Sequence, residues 1–299
     1  MILMRPTDIP LTAPLIDIAR IIDTHLSRER DTDTEFVSRV ALCFFGQVKN
    51  VNHVQLTSFI DNVMRPLLEY FPSIDVYLHT YNIVSFHNPR NLEKNVTLHV
   101  ADSLNLIFSE LRELPGVKIR NISITQDAKA ADRSFRPLNF YLSHGDPWRN
   151  EGLSMFYFLR QLYSLETVTR LWEKSLSTGD RYQAVVYVRP DLLFESPLPV
   201  ADTLDVIDEE HSKRILRPRT VFSPNFDVFG GMNDRFALGT PDVMSVYGYR
   251  KNDIDRFMEE NPTKHLHAES YLAWVMKDSL IRCETLDFSF KRIRARIDK

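Results

Sequence analysis

Cysteine is almost missing from this chain: Cys43 and Cys283 are the only two in 299 residues. They lie far apart in apolar or strand-like contexts, so no zinc-ligand spacing exists and both read as reduced packing residues. An excess of positive charge is missing too. Lys and Arg number 37 against 40 Asp and Glu, a net charge of −3, whereas a general polyanion binder carries a clear basic surplus. Nucleic acid is therefore not an expected partner. No apolar run is long enough to span a bilayer, and Met1 to Pro14 holds no apolar core of signal-peptide length. These absences predict a soluble, cytoplasmic protein without a transmembrane segment. The sequons at Asn95-Val-Thr97 and Asn121-Ile-Ser123 then read as chance matches. Internal repeats and low-complexity segments are also lacking.

Several catalytic signatures are absent. Gly46 stands alone after its strand, so there is neither a dinucleotide fingerprint nor a P-loop. No HExxH occurs. Ser154 lies in Gly-Leu-Ser-Met-Phe, which lacks the second glycine of a nucleophile elbow. Dehydrogenase, P-loop NTPase, zinc protease and α/β-hydrolase chemistry are all disfavoured.

What is present is a core-forming alternation of strands and helices. The chain is 43% hydrophobic and 11% aromatic, enough for a large core. Leu15, Ile16, Ile18, Ile21, Ile22 and Leu26 recur at helical spacing and the run Ser27 to Glu35 is polar. Residues 1–35 are therefore expected to be a helical extension and 36–299 the main domain. Arg39 to Phe45 is a continuous apolar strand. A short turn at Gly46 follows, then a helix with Leu56, Phe59, Ile60, Val63, Met64, Leu67 and Leu68 along one stripe, the opening of a parallel α/β unit. Ile74 to Thr80 and Val117 to Ile124 read as strands, with a helix around Leu104 to Leu111 between them. Asp127 to Arg149 reads as a long loop. The longest helix is expected over Ser154 to Leu176. A short strand is expected near Arg214 to Arg217, a helix opening at Thr240-Pro241-Asp242, and another through His267 to Met276. The basic run Lys291 to Arg296 is either a solvated edge or a cover for an anionic ligand. The fold class expected is α/β: one Rossmann-like domain with a mostly parallel sheet between helices.

The stretch Ala184 to Val188 has the composition of a strand covered on both faces, and Pro190 ends its pairing. Arg189 and Asp191 are thereby placed at the carboxyl edge of a central strand, where open α/β sheets bind ligands; a salt bridge closing a turn is the plainer alternative.

Taken together, Phe45-Gly-Gln-Val-Lys49, Asp75-Val-Tyr-Leu-His-Thr80, Ser154-Met-Phe-Tyr157 with Gln161-Leu-Tyr-Ser164, Arg189-Pro-Asp191, Asn233-Asp-Arg-Phe236 and His267-Ala-Glu269 resemble the motifs of glycosyltransferases with the GT-A type of fold. The likeness is to the small soluble transferases of bacterial capsule clusters, algae and large DNA viruses, and runs from about Val40 to Arg296. It implies a hexosyl- or pentosyltransferase that takes a nucleoside-diphosphate sugar donor and a glycan acceptor. Residues implied at the donor are Gly46, Gln47, Lys49, Thr80, Gln161, Ser164, Arg189 and Asn233. Asp234 and Glu269 are the implied catalytic carboxylates, Asp234 first. The family's acidic motif holds a divalent metal, Mn2+ or Mg2+, and this assigns Asp191 as the metal ligand. The motif here departs from the usual pair of aspartates, with arginine in the first place, so Arg189 could itself supply charge to the phosphates. Each residue has a plainer reading. Gly46 could serve only a tight turn, His79 a satisfied core, Asn233 and Asp234 a turn cap. Two other functions share the scaffold: a sugar-nucleotide nucleotidyltransferase, disfavoured by the lack of a glycine-rich loop, and an inactive sugar- or nucleotide-binding protein.

Overall fold

The computed structural model describes residues 24–26, 38–176, 181–208 and 213–295. The expected N-terminal helix and its linker lie outside the described residues except for Thr24 to Leu26. There the His25 ring packs against Phe108 and its Nε2 lies 3.1 Å from Asn105 Oδ1.

The strands are β1 Arg39–Phe44, β2 Ser73–Tyr81, β3 Ser85–Asn88, β4 Glu93–Thr97, β5 Val117–Thr125, β6 Ala184–Val188, β7 Leu192–Phe194, β8 Leu204–Asp208, β9 Lys213–Leu216, β10 Thr220–Pro224, β11 Phe236–Gly239, β12 Arg282–Leu286 and β13 Phe290–Arg292. Seven of them form one sheet in the order β12-β10-β11-β6-β1-β2-β5. Pairing is parallel for β1 with β2 and β6, β2 with β5, and β10 with β12. β11 runs antiparallel to both β10 and β6. The sheet is thus mostly parallel, between two layers of helices.

The double apolar covering of the central strands explains their unbroken hydrophobic runs. In β1, Val40, Leu42 and Phe44 face one core, while Ala41 and Cys43 face the other. In β6, Ala184, Val186 and Val188 join the first core and Val185 and Tyr187 the second. Side chains alternate along a strand, so a strand buried on both faces needs apolar residues at every position. One face is covered by the helical stretch from His53 to Tyr70 and by Val100–Arg112. The other is covered by the long helix Leu153–Leu176 with Pro241–Tyr249, Ile254–Glu260 and Ala268–Asp278.

Three sequence expectations are corrected. The segment from Asp127 to Arg149 is broken by two helical turns, Lys129–Asp132 and Leu138–Tyr141. Cys283 is exposed, not packed, whereas Cys43 is buried as expected. The basic run beginning at Lys291 is partly a strand, β13, antiparallel to β7. This pairing and the hydrogen bond from Ile293 N to Asp191 O at 2.8 Å carry the run back across the carboxyl end of the sheet.

Candidate active site

From β1 the chain goes to β2 and β5 on one side, while β6 lies on the other side of β1. Connections leaving adjacent strands in opposite directions open a crevice at their carboxyl ends, the usual ligand position in such sheets. Gly46 follows β1 and Arg189 follows β6, with Phe44 and Val188 paired in register. A cavity of about 920 Å³ opens there, and both Gly46 and Arg189 line it.

The Gly46 turn is held from behind. Its backbone N donates to Ser164 Oγ at 2.7 Å, and the same hydroxyl lies 2.7 Å from His79 Nδ1. Val48 N donates to Thr80 Oγ1 at 2.8 Å. Gly46 has φ +96°, a conformation that L side chains rarely adopt, and an added Cβ would meet nothing within 4 Å. Gln47 donates through Nε2 to Val48 O and Tyr81 O, and its buried Oε1 has no partner among the described residues. Gln47 and Lys49 line the cavity. Ser164 and Thr80 do not; both are fully buried and their hydroxyls are committed to the turn, so they support the loop and do not reach a ligand. His79 is likewise structural, with Nε2 2.8 Å from Thr125 Oγ1. Burial pushes its pKa down to about 3.

Across the cavity, Arg189 is locked in a planar pair with Asp191, Nε to Oδ1 at 2.9 Å and Nη2 to Oδ2 at 2.8 Å. Its third donor, Nη1, reaches Gln161 Oε1 at 2.6 Å, and Gln161 Nε2 donates in turn to Asp234 Oδ2 at 2.7 Å. This chain brings three expected residues, Gln161, Arg189 and Asp234, into one hydrogen-bonded line on the wall. Burial alone would raise the Asp191 carboxyl, but Arg189 and Arg292 outweigh it and hold it well below the usual carboxylate range. Asp234 is also held low: Arg235, Arg189 and Arg250, aided by the Gln161 hydrogen bond, overcome the opposite effect of burial.

Asn233 does not line the cavity. It is fully buried, accepts from Arg235 N at 2.9 Å and donates to Phe226 O at 3.0 Å, so it shapes the turn and presents no group to a sugar. Gly231 likewise serves packing and not substrate approach. Its Cβ would lie 2.0 Å from Glu269 O, and Met232 N donates to that carbonyl at 3.1 Å. The close fit of these backbones puts Glu269, in the first turn of Ala268–Asp278, on the cavity wall, where it is 4% exposed. Its Oε1 accepts from Arg235 Nη2 at 3.3 Å and its Oε2 lies 3.0 Å from His267 Nδ1. The His267 ring stacks on Trp148 with centroids 5.2 Å apart.

The fit of a divalent metal can be tested on these donors. Such an ion needs several oxygen ligands. Asp191 does not line the cavity, and both its oxygens are engaged by Arg189. Glu93 accepts from Lys49 Nζ at 2.6 Å, and Glu269 is tied to Arg235. No group of three or more His, Cys, Asp or Glu that could hold a metal exists among the described residues. The expected metal role of Asp191 therefore does not fit its surroundings.

Sequence reasoning missed Glu93, which is fully buried beneath the site and accepts from both Lys49 and Ala295 N. An isolated glutamate in a polar stretch carries no signal for such a role. It also missed Trp148, placed in a presumed loop, and Arg235, although that residue stands inside a quoted motif. Arg292 and Arg294, noted only as parts of a basic run, line the cavity.

No protein-family profile and no curated protein sequence matches the chain. Solved structures similar to it include mouse xyloside xylosyltransferase 1 in its apo form, at 12% identity over 84% of this chain and 86% of that one, with a TM-score of 0.40. Another is the glycosyltransferase GlyE of Streptococcus pneumoniae TIGR4, at 13% identity, with a TM-score of 0.36 over 85% of this chain and 46% of that one. Likenesses this distant carry no argument about the chemistry, which rests on the site. No helix among the described residues is long and apolar enough to cross a membrane.

Proposed function

We propose that the protein is a glycosyltransferase of the GT-A type that moves a sugar from a nucleoside-diphosphate sugar to a hydroxyl of a glycan. The observation that carries this reading is the composition of one cavity. Cations (Lys49, Arg189, Arg292 and Arg294) and two buried carboxylates, Asp234 and Glu269, converge on the space beside Gly46 at the switch point of the sheet. Transfer from a diphosphate donor asks for positive charge at the leaving group and a carboxylate near the anomeric carbon. An inactive binding protein has no need of buried acidic groups in its cleft.

In this reading the acceptor oxygen forms its bond to the anomeric carbon as the bond to the diphosphate oxygen breaks, and the electron pair leaves with the diphosphate. The acceptor proton passes to a carboxylate. Asp234 is held low by three guanidinium groups and is bonded by Gln161, which suits a carboxylate that stays ionised; Glu269, from another motif on the cavity wall, is assigned the proton. Asp234 stays ionised and faces the positive charge that develops on the sugar ring. Gly46 and Gln47 receive the nucleotide, where a residue without Cβ lets the ligand approach the backbone.

A thermal-shift screen against nucleoside diphosphates and their sugars tests the reading. A ligand of the site at a hundredfold its dissociation constant stabilises by about 2.7 kcal/mol. No shift with any nucleoside diphosphate or its sugar would remove the proposal.

A further inference from the structure

We infer that the strap following β13 completes a diphosphate site in which Arg292 and Arg294, with Lys49, take the place of a divalent cation. The inference rests on the proposed donor class and names how its leaving group is held.

The first support is the mismatch with a metal already described: the aspartate in the metal position is enclosed by guanidinium groups. Arg189 grips both of its oxygens, and Arg292 Nε lies 3.4 Å from Oδ2. An aspartate in this arrangement anchors two cations and, lying off the cavity wall, presents no oxygen to a third.

The second support is a set of guanidinium donors that make no hydrogen bond. Arg292 Nε, Arg294 Nη1 and Arg235 Nε and Nη1 are buried and make no hydrogen bond within the described residues. Arg292 Nε reaches Asp191, Arg235 Nη1 reaches Asp227 Oδ2 at 3.6 Å and Arg294 Nη1 reaches Glu93 Oε2 at 4.0 Å only as ion pairs outside hydrogen-bond geometry. Buried donors left unpaired are costly, and such groups in a folded protein call for a partner. All three arginines line the cavity.

The third support is the local charge. Lys49, Arg189, Arg235, Arg292 and Arg294 all line the one cavity. Asp191 and Glu93 offset only part of the crowded positive charge, so an entering anion finds cations already in place. Two phosphates suit this spread: Arg292 and Arg294 are two residues apart on an extended strap, and Lys49 faces them through Glu93, which accepts from both Lys49 Nζ and Ala295 N. Glu93 thus fixes the strap to the loop after β1.

Calorimetric titration of the full chain with inorganic pyrophosphate tests this, once in excess EDTA and once in manganese chloride. Binding is expected in EDTA and is expected to be no tighter in manganese, which chelates pyrophosphate and lowers its charge without adding a metal-bridged contact to the protein. Arg292→Gln and Arg294→Gln are each expected to weaken binding in EDTA by about tenfold or more, the effect of losing a charged hydrogen bond. Arg292→Lys, which keeps the charge, should recover part of it, and the melting temperature of each variant checks the fold. Binding that appears only with manganese overturns the inference, as does binding in EDTA that both folded Gln variants leave unchanged. If a Gln variant fails to fold, the EDTA comparison on the wild type still decides. Sugar transfer that requires manganese would defeat this inference and leave the glycosyltransferase reading intact. Pyrophosphate bound in EDTA with no turnover of any sugar nucleotide would do the reverse.

Discussion

Arg189 and Asp191, separated only by Pro190, close on each other through two parallel hydrogen bonds of 2.9 and 2.8 Å at the end of β6. The residue between them is pinned as well, since Gln55 Nε2 donates to Pro190 O at 2.7 Å. The pair is nearly shut off from water, with Asp191 at 1% and Arg189 at 13% side-chain exposure. Removing one member of a buried ion pair leaves the other uncompensated. Asp191→Asn is therefore expected to cost about 3–5 kcal/mol of stability, read as a lower urea midpoint with an unchanged slope. A loss below about 1 kcal/mol would show that solvent screens the pair.

The two glycine positions should respond to different degrees. Gly46 has open space where a Cβ would go, so Gly46→Ala is strained only by its backbone angle, at a cost of about 1–3 kcal/mol. It should stay folded and bind nucleoside diphosphates more weakly. Gly231→Ala would drive a methyl into the Glu269 carbonyl, 2.0 Å away, and should lower the melting temperature further while displacing Glu269. Equal melting temperatures for the two variants would contradict this assignment.

The sheet was legible in the sequence because its central strands are covered on both faces. The unbroken apolar runs at Val40 to Phe44 and Ala184 to Val188 have no other economical reading. The direction of β11 was not legible, because Phe236-Ala-Leu-Gly239 is apolar in either direction and its orientation is set by the distant pairing to β10 and β6. Of the residues whose motifs pointed to the site, Gln161, Arg189 and Asp234 come together in one hydrogen-bonded line on the cavity wall. Ser164 and Asn233 belong to the same motifs, and Thr80 to the motif of the second strand, yet all three sit behind the wall. Sequence spacing places a residue near a site without saying which way its side chain turns. Glu93 and the strap arginines depend on contacts between segments about 200 residues apart, as in Ala295 N to Glu93, and no local pattern records such a contact.

Acid should loosen the Gly46 turn through His79. Its ring is buried between Ser164 and Thr125, against the rings of Tyr81 and Tyr163, and its pKa is pushed down to about 3. In the unfolded chain it titrates near about 6.5. Between these values the unfolded state binds a proton that the folded state refuses, so stability rises with pH there. The contribution is complete above about 6.5 and is lost progressively as pH falls toward 3. The expected slope for this one group is on the order of 1.4 kcal/mol per pH unit. Urea midpoints from pH 7 to pH 5 would measure it, and His79→Gln should flatten the dependence. An unchanged slope in a folded variant would assign the acid sensitivity elsewhere.

The two cleft carboxylates should separate kinetically. Glu269→Gln is expected to keep donor binding and lose transfer by about 10²–10⁴-fold, the usual contribution of a positioned base. Asp234→Asn should also lose transfer, but with weaker donor binding, because Gln161 and through it Arg189 lose an anchor. Lost transfer in Asp234→Asn alone, with Glu269→Gln active, would point to a route without a base at Glu269.

The most direct measurement of the central claim is release of nucleoside diphosphate from a panel of sugar nucleotides, followed for the wild type beside Glu269→Gln. The account predicts slow release without acceptor, faster release when a glycan hydroxyl is supplied, and loss of the faster release in the variant at unchanged melting temperature. Nucleoside diphosphate that binds the cavity but is never released from any sugar nucleotide, with or without a glycan, would contradict it.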